Sequence, residues 1–353
     1  MLFAELSLIQ WFGNESEFNK TRNTVKTKKT VLSLVALAMA FAANGAPTDN
    51  SAKGNNFTGN QYGELIEQIG DNLMESFVFP TIAPKYVDAL EQCVISDCLS
   101  GVEDTQLAAK KLTTLLQDVY ADKHLKVFAP GQRAKMKQKR MKKVAKAGKN
   151  KASKMGIQEL DVLDGNIGYI AINGFPGSEA SVLATRKAMI KLKDTSAIIF
   201  DIRQHGGGRM DEISEIASFL FTEPTHMVTM RSPHNNDGKP DPHISSPNDY
   251  ATHYQNKPIY VLTSDYSASA AEHFAMSMKS TGRAILIGET TAGYGHWGGI
   301  FPIANDFELF VPVGRTYHPK TELGWESFGI TPDIQIKATE SLDYALKRIR
   351  TLS

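Results

Sequence analysis

The sequence has little of what metal, nucleotide and nucleic-acid sites require. Its 353 residues include only two cysteines, and they contain no phosphate-binding loop. A cysteine-based zinc site and a phosphate-loop nucleotide site therefore lack their usual ligands. The formal net charge is +1, which argues against a nucleic-acid binder. We expect no cofactor, no bound metal and no nucleic-acid partner.

The two cysteines, Cys93 and Cys98, lie five positions apart. In an exported protein this spacing favours a small local disulfide. Two reduced, buried cysteines are the alternative, and the sequence alone does not separate the two states.

The chain also lacks an apolar run long enough to cross a bilayer. Its longest apolar run, residues 31–43, follows three lysines at 26–29 and ends in small residues. This pattern is typical of a secretory signal peptide, here about residues 25–42. We expect residues 1–46 to be a leader, and the mature protein to be periplasmic or secreted without a membrane span. An uncleaved N-terminal anchor is the alternative.

Composition changes along the mature chain predict four segments. Residues 47–60 are rich in Asn, Gly, Ser and Thr and are expected to form a flexible N-terminus. Apolar stripes at helical spacing predict a helical domain over residues 61–131. Residues 132–156 are a basic linker, mobile or folded as a charged helix, with eleven Lys or Arg and no acid up to Lys154. Residues 157–353 alternate apolar strands with helices, which predicts a layered α/β domain with a buried sheet.

The clearest sign of chemistry is a serine-rich turn at residues 263–269. A short apolar strand, residues 258–262, precedes it, and apolar residues at helical spacing follow. A serine hydroxyl is thereby placed at a helix N-terminus, where free N–H groups and the helix dipole favour developing negative charge. This is the geometry that a serine nucleophile needs.

A second turn, the three glycines 206–208, follows another apolar strand and opens a helix. Glycines let the backbone approach a ligand closely and leave its N–H groups unobstructed, which suits an oxyanion hole. Asp201 and Arg203 stand just before this turn, and we expect them to form a structural ion pair.

Taken in order, these motifs resemble those of the S41 peptidases. The series runs through the Asp201 strand end, the glycine turn, the serine turn and the Gly-Glu-Thr-Thr-Ala-Gly stretch at 288–293. The resemblance covers about residues 155–350. The chain is similar to the tail-specific or C-terminal processing proteases, and it resembles most the interphotoreceptor retinoid-binding-protein-like and tricorn-like branch. It implies an α/β fold with a ClpP/crotonase-like layered core, preceded by a small N-terminal helical domain.

By this resemblance Ser269 is the nucleophile, and the backbone N–H groups of Gly207 and Ala270 form the oxyanion hole. The processing proteases carry a lysine base where this chain has Tyr294, so the Ser–Lys dyad is absent. A tyrosine, whose ordinary pKa is about 10, is a poor replacement for a desolvated lysine amine. The serine therefore needs another base.

The tricorn-like branch uses a histidine near the end of its N-terminal segment and a glutamate near the C-terminus. The matching residues here are His124 as the base and Glu326 as the group that orients or polarises the site. Lys123 stands where the tricorn type has a serine. His205 and His296 flank the glycine-rich turns and are the rival bases.

Other polar residues are expected to be structural. Asp118 and Asp122 are interpreted as helix-surface groups, and Ser267 as an N-cap of the following helix. The polar segment 226–250 forms either a lid or substrate wall, or only a surface loop.

The sequence thus predicts an exported serine-type peptidase that cleaves peptides or unfolded proteins, with a histidine base and a possible homo-oligomeric state. The alternative is a non-catalytic module on the same fold that binds an apolar ligand or a partner protein. A crotonase-type acyl-thioester enzyme is a third reading, although no CoA-binding signature supports it.

Overall fold

A computed structural model describes residues 59–147 and 156–352. The predicted leader and signal peptide lie outside these residues. None of the helices that the structure describes is both long and apolar enough to span a bilayer.

The described residues form eight α-helices and eleven β-strands. The helices are α1 (Gly59–Ser76), α2 (Ala83–Ile95), α3 (Thr105–Val119), α4 (Gln132–Ala147), α5 (Glu179–Leu192), α6 (Asp211–Leu220), α7 (Ala270–Ser280) and α8 (Ser341–Leu352). The strands are β1 (Lys126–Phe128), β2 (Ile157–Leu163), β3 (Ile167–Ile172), β4 (Ala197–Asp201), β5 (His226–Arg231), β6 (Asp241–Ile244), β7 (Ile259–Thr263), β8 (Ile285–Gly288), β9 (His296–Ile303), β10 (Phe307–Tyr317) and β11 (Ile334–Gln335). The basic run after Gln132 is therefore helical as far as Ala147.

The chain divides into two compact units. The first contains the helices α1, α2 and α3, the strand β1 and residues 300–311. Its helices pack through buried apolar side chains at three- and four-residue spacing, such as Leu65, Ile69 and Leu73. Asp104 begins α3 as its N-cap by accepting a hydrogen bond from the N–H of Gln106. Within this unit Cys93 and Cys98 are joined as a disulfide.

The second unit contains Ala121–Leu125, Arg133–Gly299 and Pro312–Ser353. Its six-stranded sheet has the order β11-β8-β7-β4-β3-β2, and only the β2–β3 pair is antiparallel. The central strands β4 and β7 are buried along their whole length, as parallel strands covered on both faces must be. The prediction of an α/β core that follows a helical N-terminal region is confirmed.

The β-hairpin formed by β5 and β6 occupies most of the polar segment 226–250. Within the second unit β5 also pairs with residues 315–317 of β10. The segment is thus a paired part of a sheet, with β6 as its partly exposed outer strand.

Candidate active site

Ser269 lies at the turn between β7 and α7, as the sequence indicates. It occupies the N-cap position of α7 with φ 56° and ψ −116°. A serine rarely adopts positive φ, and such a residue stores roughly 1–3 kcal/mol of strain unless its surroundings hold it. The nucleophile of an α/β-hydrolase likewise lies on a strained strand-to-helix turn, which exposes its hydroxyl.

Buried hydrogen bonds hold this turn in place. The hydroxyl of Ser267 donates to the carbonyl of Ile202 at 2.9 Å and accepts from the N–H of Ser264 at 3.0 Å. The N–H of Ala268 donates to the carbonyl of His205 at 3.0 Å. Ser267 therefore ties the serine turn to the end of β4, and its expected role as the N-cap of α7 is wrong because that position belongs to Ser269.

The glycine turn packs directly against Ser269. A Cβ atom added to Gly207 would lie 2.9 Å from the Cβ of Ser269, and Gly207 has φ 101°, so only glycine fits there. The N–H of Gly207 donates to Nδ1 of His205 at 3.0 Å. The N–H of Ala270, the other expected oxyanion donor, has no hydrogen-bond partner among the described residues.

Glu272 joins the serine turn to the following loop. Its carboxylate is fully buried and accepts hydrogen bonds from the N–H groups of Ser269, Gly293 and Tyr294 and from the hydroxyl of Thr291, at 2.6–2.8 Å. Burial raises the pKa of Glu272, although these four hydrogen bonds oppose the shift. The residue acts as a hub that fixes the geometry of the 291–296 loop.

Glu326 plays a similar part at the other end of this loop. It accepts hydrogen bonds from the N–H groups of Lys123, Gly295 and His296 at 2.8–2.9 Å, and Nδ1 of His124 lies 3.4 Å from its Oε2. Burial alone would raise the pKa of Glu326, but the hydrogen bond from His124 and the nearby charges hold it below its ordinary value. Glu326 is therefore a buried carboxylate that stays charged.

The segment that carries His124 belongs to the second unit. The sequence predicts His124 on the helical domain and Ser269 on the α/β domain. The structure instead places both residues in one unit. Lys123 fastens the segment, because its Nζ donates to the carbonyl of Ala292 at 2.7 Å. The Ser327 hydroxyl also donates to the carbonyl of Ala121 at 2.7 Å. The histidine is thus held on the same loop that Glu272 holds.

Asp122 corrects an expectation. It is not a helix-surface group, because α3 ends at Val119 and the Asp122 side chain is buried. Its carboxylate accepts from the N–H of His124 at 2.9 Å and contacts Nδ1 of His296 at 2.7 Å. The Asp-x-His spacing, in which a carboxylate binds an N–H two residues on, could have indicated this from the sequence. The site therefore contains two carboxylate–histidine pairs.

Tyr294 does not fit the role of a general base. Its ring packs edge-on against the ring of His124 with centroids 4.8 Å apart. Burial, followed by the charges of Glu326 and Glu272, raises its pKa, so the phenol stays protonated. Tyr294 serves as packing for His124.

A cavity of about 590 Å³ opens beside the serine. Its lining includes Ser269, Ala270, Tyr294, His296 and Trp325. No histidine of the described residues hydrogen-bonds the Ser269 hydroxyl. The structure thus brings Ser269, one of the two expected oxyanion donors and His296 to a shared cavity, and it fixes His124 through the 291–296 loop.

Three further histidines, His205, His243 and His273, take part in other hydrogen bonds. His205 is fully buried, and its Nδ1 accepts the Gly207 N–H, so it supports the glycine turn. His273 and His243 were missed by sequence reasoning. Nδ1 of His243 lies 2.8 Å from Nε2 of His273, which lines the cavity. Irregular spacing in the sequence hides this pair, because a hairpin brings the two residues together.

Asp122, His124 and Glu326 place three potential ligand atoms within 4.8 Å of one another. However, every oxygen of the two carboxylates already accepts a hydrogen bond from the protein. The group is built as a hydrogen-bond network for the two histidines.

Asp201 and Arg203 form the expected ion pair. The guanidinium of Arg203 binds both oxygens of the Asp201 carboxylate, with Nε at 2.9 Å and Nη2 at 2.5 Å. The hydroxyl of Tyr169 also donates to Asp201 at 2.7 Å. This network lies at the end of β4 and outside the cavity lining.

Comparison with known proteins agrees with this geometry. The sequence model of peptidase family S41 matches residues 166–336, and the model described as the N-terminal domain of peptidase S41 in eukaryotic IRBP matches residues 58–160. The chain is 28% identical over 172 residues to the carboxyl-terminal-processing peptidase 2, chloroplastic, of Arabidopsis thaliana, and the match covers 47% of this chain and 31% of that protein. The matches span between about a third and under half of the length of the curated relatives.

Two solved structures share the fold. The photosystem II D1 C-terminal processing protease aligns with a TM-score of 0.51 at 15% identity, covering 78% of this chain and 92% of that chain. The tricorn protease aligns with a TM-score of 0.53 at 15% identity, covering 83% of this chain and 37% of that chain.

The parallel sheet and the strand–turn–helix serine define an α/β protein with a ClpP/crotonase-like core and a nucleophile-type turn. Within that class, the chain belongs to the peptidase family S41.

Proposed function

We propose that this protein is a serine-type peptidase whose nucleophile is Ser269. One observation carries the proposal: Glu272 binds the N–H of Ser269 and of Tyr294, while Glu326 binds the N–H of Gly295 and contacts His124. The nucleophile and a carboxylate-bound histidine are therefore anchored to consecutive residues of one loop. Such anchoring fixes their relative positions before substrate binds.

In the proposed reaction the Ser269 hydroxyl oxygen attacks the carbonyl carbon of a peptide bond. His124 takes the hydroxyl proton and later gives it to the leaving amine, and water then releases the acyl group by the reverse sequence. Glu326 supports this role, because a bond from Nδ1–H to the carboxylate leaves the lone pair on Nε2. The missing hydrogen bond to Ser269 would form in the substrate complex, as is common for catalytic contacts that are loose in a free enzyme.

The oxyanion that forms during attack needs two donors. The N–H of Ala270 is available in the structure as it stands, and it lies at the N-terminus of α7, where the helix dipole favours negative charge. The N–H of Gly207 would have to leave Nδ1 of His205 to join it. A glycine at φ 101° can make that rotation because it carries no Cβ.

The second carboxylate–histidine pair, Asp122 and His296, is the competing base. His296 lines the same cavity as Ser269, and its Nδ1 contact at 2.7 Å to Asp122 is shorter than that of His124 to Glu326. The family position favours His124, and the cavity favours His296. The experiment therefore has to include both histidines.

A fluorophosphonate probe reacts only with an activated serine. We expect it to label the purified protein, to fail with Ser269→Ala, and to label His124→Ala at least about 100-fold more slowly. His296→Ala is the matched control and is expected to lose much less. A larger loss for His296→Ala than for His124→Ala would transfer the base role to His296. Absence of labelling in the unaltered protein would contradict the peptidase and favour the non-catalytic binding module.

We further propose that the substrates are peptides or unfolded proteins and that the protein acts outside the cytoplasm. Family membership supports the first part, and the secretory signal expected over residues 25–42 supports the second. N-terminal sequencing of the mature protein, isolated from a host's periplasm or medium, tests export. Recovery of the chain only in the cytosol, with its leader intact, would contradict it.

A further inference from the structure

The wall of the cavity contains a histidine with no assigned role. His273 lies one helical turn after Ser269 on α7, and its N–H donates to the carbonyl of Ser269 at 2.9 Å. Residues four apart share a face of a helix, and both residues line the cavity. His273 is only 5% exposed. Any group that binds it from the cavity must therefore lie close to the nucleophile.

His273 ends a short hydrogen-bonded chain. Its Nε2 lies 2.8 Å from Nδ1 of His243 on β6, and Nε2 of His243 lies 3.0 Å from the Ser214 hydroxyl on α6. Nδ1 of His273 has no hydrogen-bond partner among the described residues. Three separate elements, α6, β6 and α7, thus direct one polar chain to the cavity, and its last atom has unused bonding capacity.

The chain can present either a donor or an acceptor at that atom. When Nε2–H of His273 donates to His243, Nδ1 of His273 carries a lone pair and accepts. When Nδ1–H of His243 donates instead, Nδ1 of His273 carries the proton and donates. The Ser214 hydroxyl matches both arrangements, because it can donate to or accept from His243.

The surroundings keep this chain uncharged. Burial lowers the pKa of His273 to about 3 and also lowers the pKa of His243. The charged lining residues Arg209 and Asp211 bind each other at 3.0 Å. The neighbouring walls include the apolar side chain of Met230. At His273 a charged ligand group would meet an uncharged partner, whereas a neutral polar group would find a partner that adapts to it.

We propose that Ser214, His243 and His273 form a specificity subsite that hydrogen-bonds a neutral polar side chain of the substrate, such as the amide of glutamine. The side chain is the one next to the scissile bond, because the same cavity holds Ser269. The inference rests on the proposed peptidase function for its substrate class. A cavity that binds this amide leaves a polar atom unpaired when an apolar side chain enters, which is a strong source of discrimination.

The test uses binding rather than turnover. Two peptides, N-acetyl-Ala-Ala-Gln-amide and N-acetyl-Ala-Ala-Met-amide, differ only in the polarity of one side chain of nearly equal length. Their dissociation constants for the Ser269→Ala protein are measured by calorimetry. We expect the glutamine peptide to bind about tenfold more tightly, as one hydrogen bond to a buried group allows.

The variants separate the subsite from general packing. His273→Gln keeps a polar atom near the Nε2 position but removes the one at Nδ1. The glutamine and methionine peptides should then bind with about equal affinity. His273→Asn keeps a group near Nδ1 and should retain part of the preference. His253→Gln, a histidine outside the cavity lining, is the matched control and should retain all of it. If His273→Gln does not fold, the helix-surface change Ser214→Ala should still weaken the preference about two- to threefold.

Two outcomes overturn the subsite. One is equal affinity of the two peptides, or no binding of either. The other is a preference that survives His273→Gln unchanged in a folded protein. Failure of fluorophosphonate labelling while the His273-dependent preference persists would instead overturn the peptidase function and leave the binding subsite in place.

Discussion

Glu272 and Glu326 bind the main-chain N–H groups of two consecutive residues, Tyr294 and Gly295. Each carboxylate also holds one half of the proposed machinery, Ser269 or His124. The relative position of the proposed nucleophile and the proposed base is therefore set by two buried acids and one loop, although the three segments are far apart in sequence. Substitutions of the two acids should have different consequences. Glu272 supports the fold of the loop, whereas Glu326 also orients the His124 ring.

Replacing Glu326 with glutamine should mainly abolish activity. Glutamine has one acceptor oxygen, and its amide group would favour the wrong tautomer of His124. We expect fluorophosphonate labelling to slow by about 10³–10⁴-fold, as when the carboxylate of a serine–histidine–aspartate triad is neutralised. Glu322→Gln, an exposed glutamate in the same region, is the control and should label normally. Equal labelling rates for both variants would rule out the role of Glu326.

Replacing Glu272 with glutamine should mainly destabilise the protein. Each carboxylate oxygen accepts two hydrogen bonds, including those from Ser269, Thr291 and Gly293. The amide nitrogen of glutamine can accept none of them, so two buried donors lose their partner. We expect the free energy of unfolding to fall by about 2–4 kcal/mol, measured by urea denaturation.

Removal of only the Thr291 hydroxyl, in Thr291→Val, is the milder comparison for Glu272→Gln. It should cost about 1 kcal/mol. A Glu272→Gln protein as stable as the parent would mean that relief of the buried charge outweighs the lost hydrogen bonds.

The sequence predicted the parts of the site that depend on local pattern. The Ser269 turn and the glycine turn each follow a buried strand and precede a helix, so their position could be read from strand–turn–helix order. The α/β core followed from continuous apolar strands between helices. These signals lie within about 20 residues, and tertiary contacts reinforce them.

The connections between distant segments could not be read in this way. The sequence pattern predicts Asp122 at the end of a surface helix. Its carboxylate is instead buried and contacts His296, 174 positions later. His243 and His273 have no common spacing because His243 lies on β6 and His273 on α7, and only the tertiary fold brings them together. Each of these contacts depends on which loops meet, and residue type and local periodicity do not encode that.

Ser269 should be a position where glycine stabilises the protein relative to alanine. An alanine retains the strain of φ 56° and ψ −116°, roughly 1–3 kcal/mol, whereas glycine adopts this conformation freely at a cost of roughly 0.5–1 kcal/mol in unfolded-chain entropy. We expect Ser269→Gly to be more stable than Ser269→Ala by about 1 kcal/mol in urea denaturation. Both variants lack the nucleophile, so neither should react with the probe. Greater stability of the alanine variant would show that the turn is not strained.

His273 should make the protein less stable as the pH falls below neutral. Its pKa is about 3 in the folded protein and about 6.5 when exposed to water. Between these values the unfolded chain binds a proton that the folded protein does not, so the free energy of unfolding rises with pH in this window. The full slope is about 1.4 kcal/mol per pH unit, which amounts to about 2 kcal/mol lost between pH 6.5 and 5.

The control for this pH dependence is His273→Gln, which has no group to protonate. Its free energy of unfolding should therefore fall by about 2 kcal/mol less than that of the parent between pH 6.5 and 5. Some slope should remain, because burial also lowers the pKa of His243. Parallel pH profiles for the parent and His273→Gln would show that His273 is protonated in the folded protein, and that the polar chain in the cavity wall is not neutral.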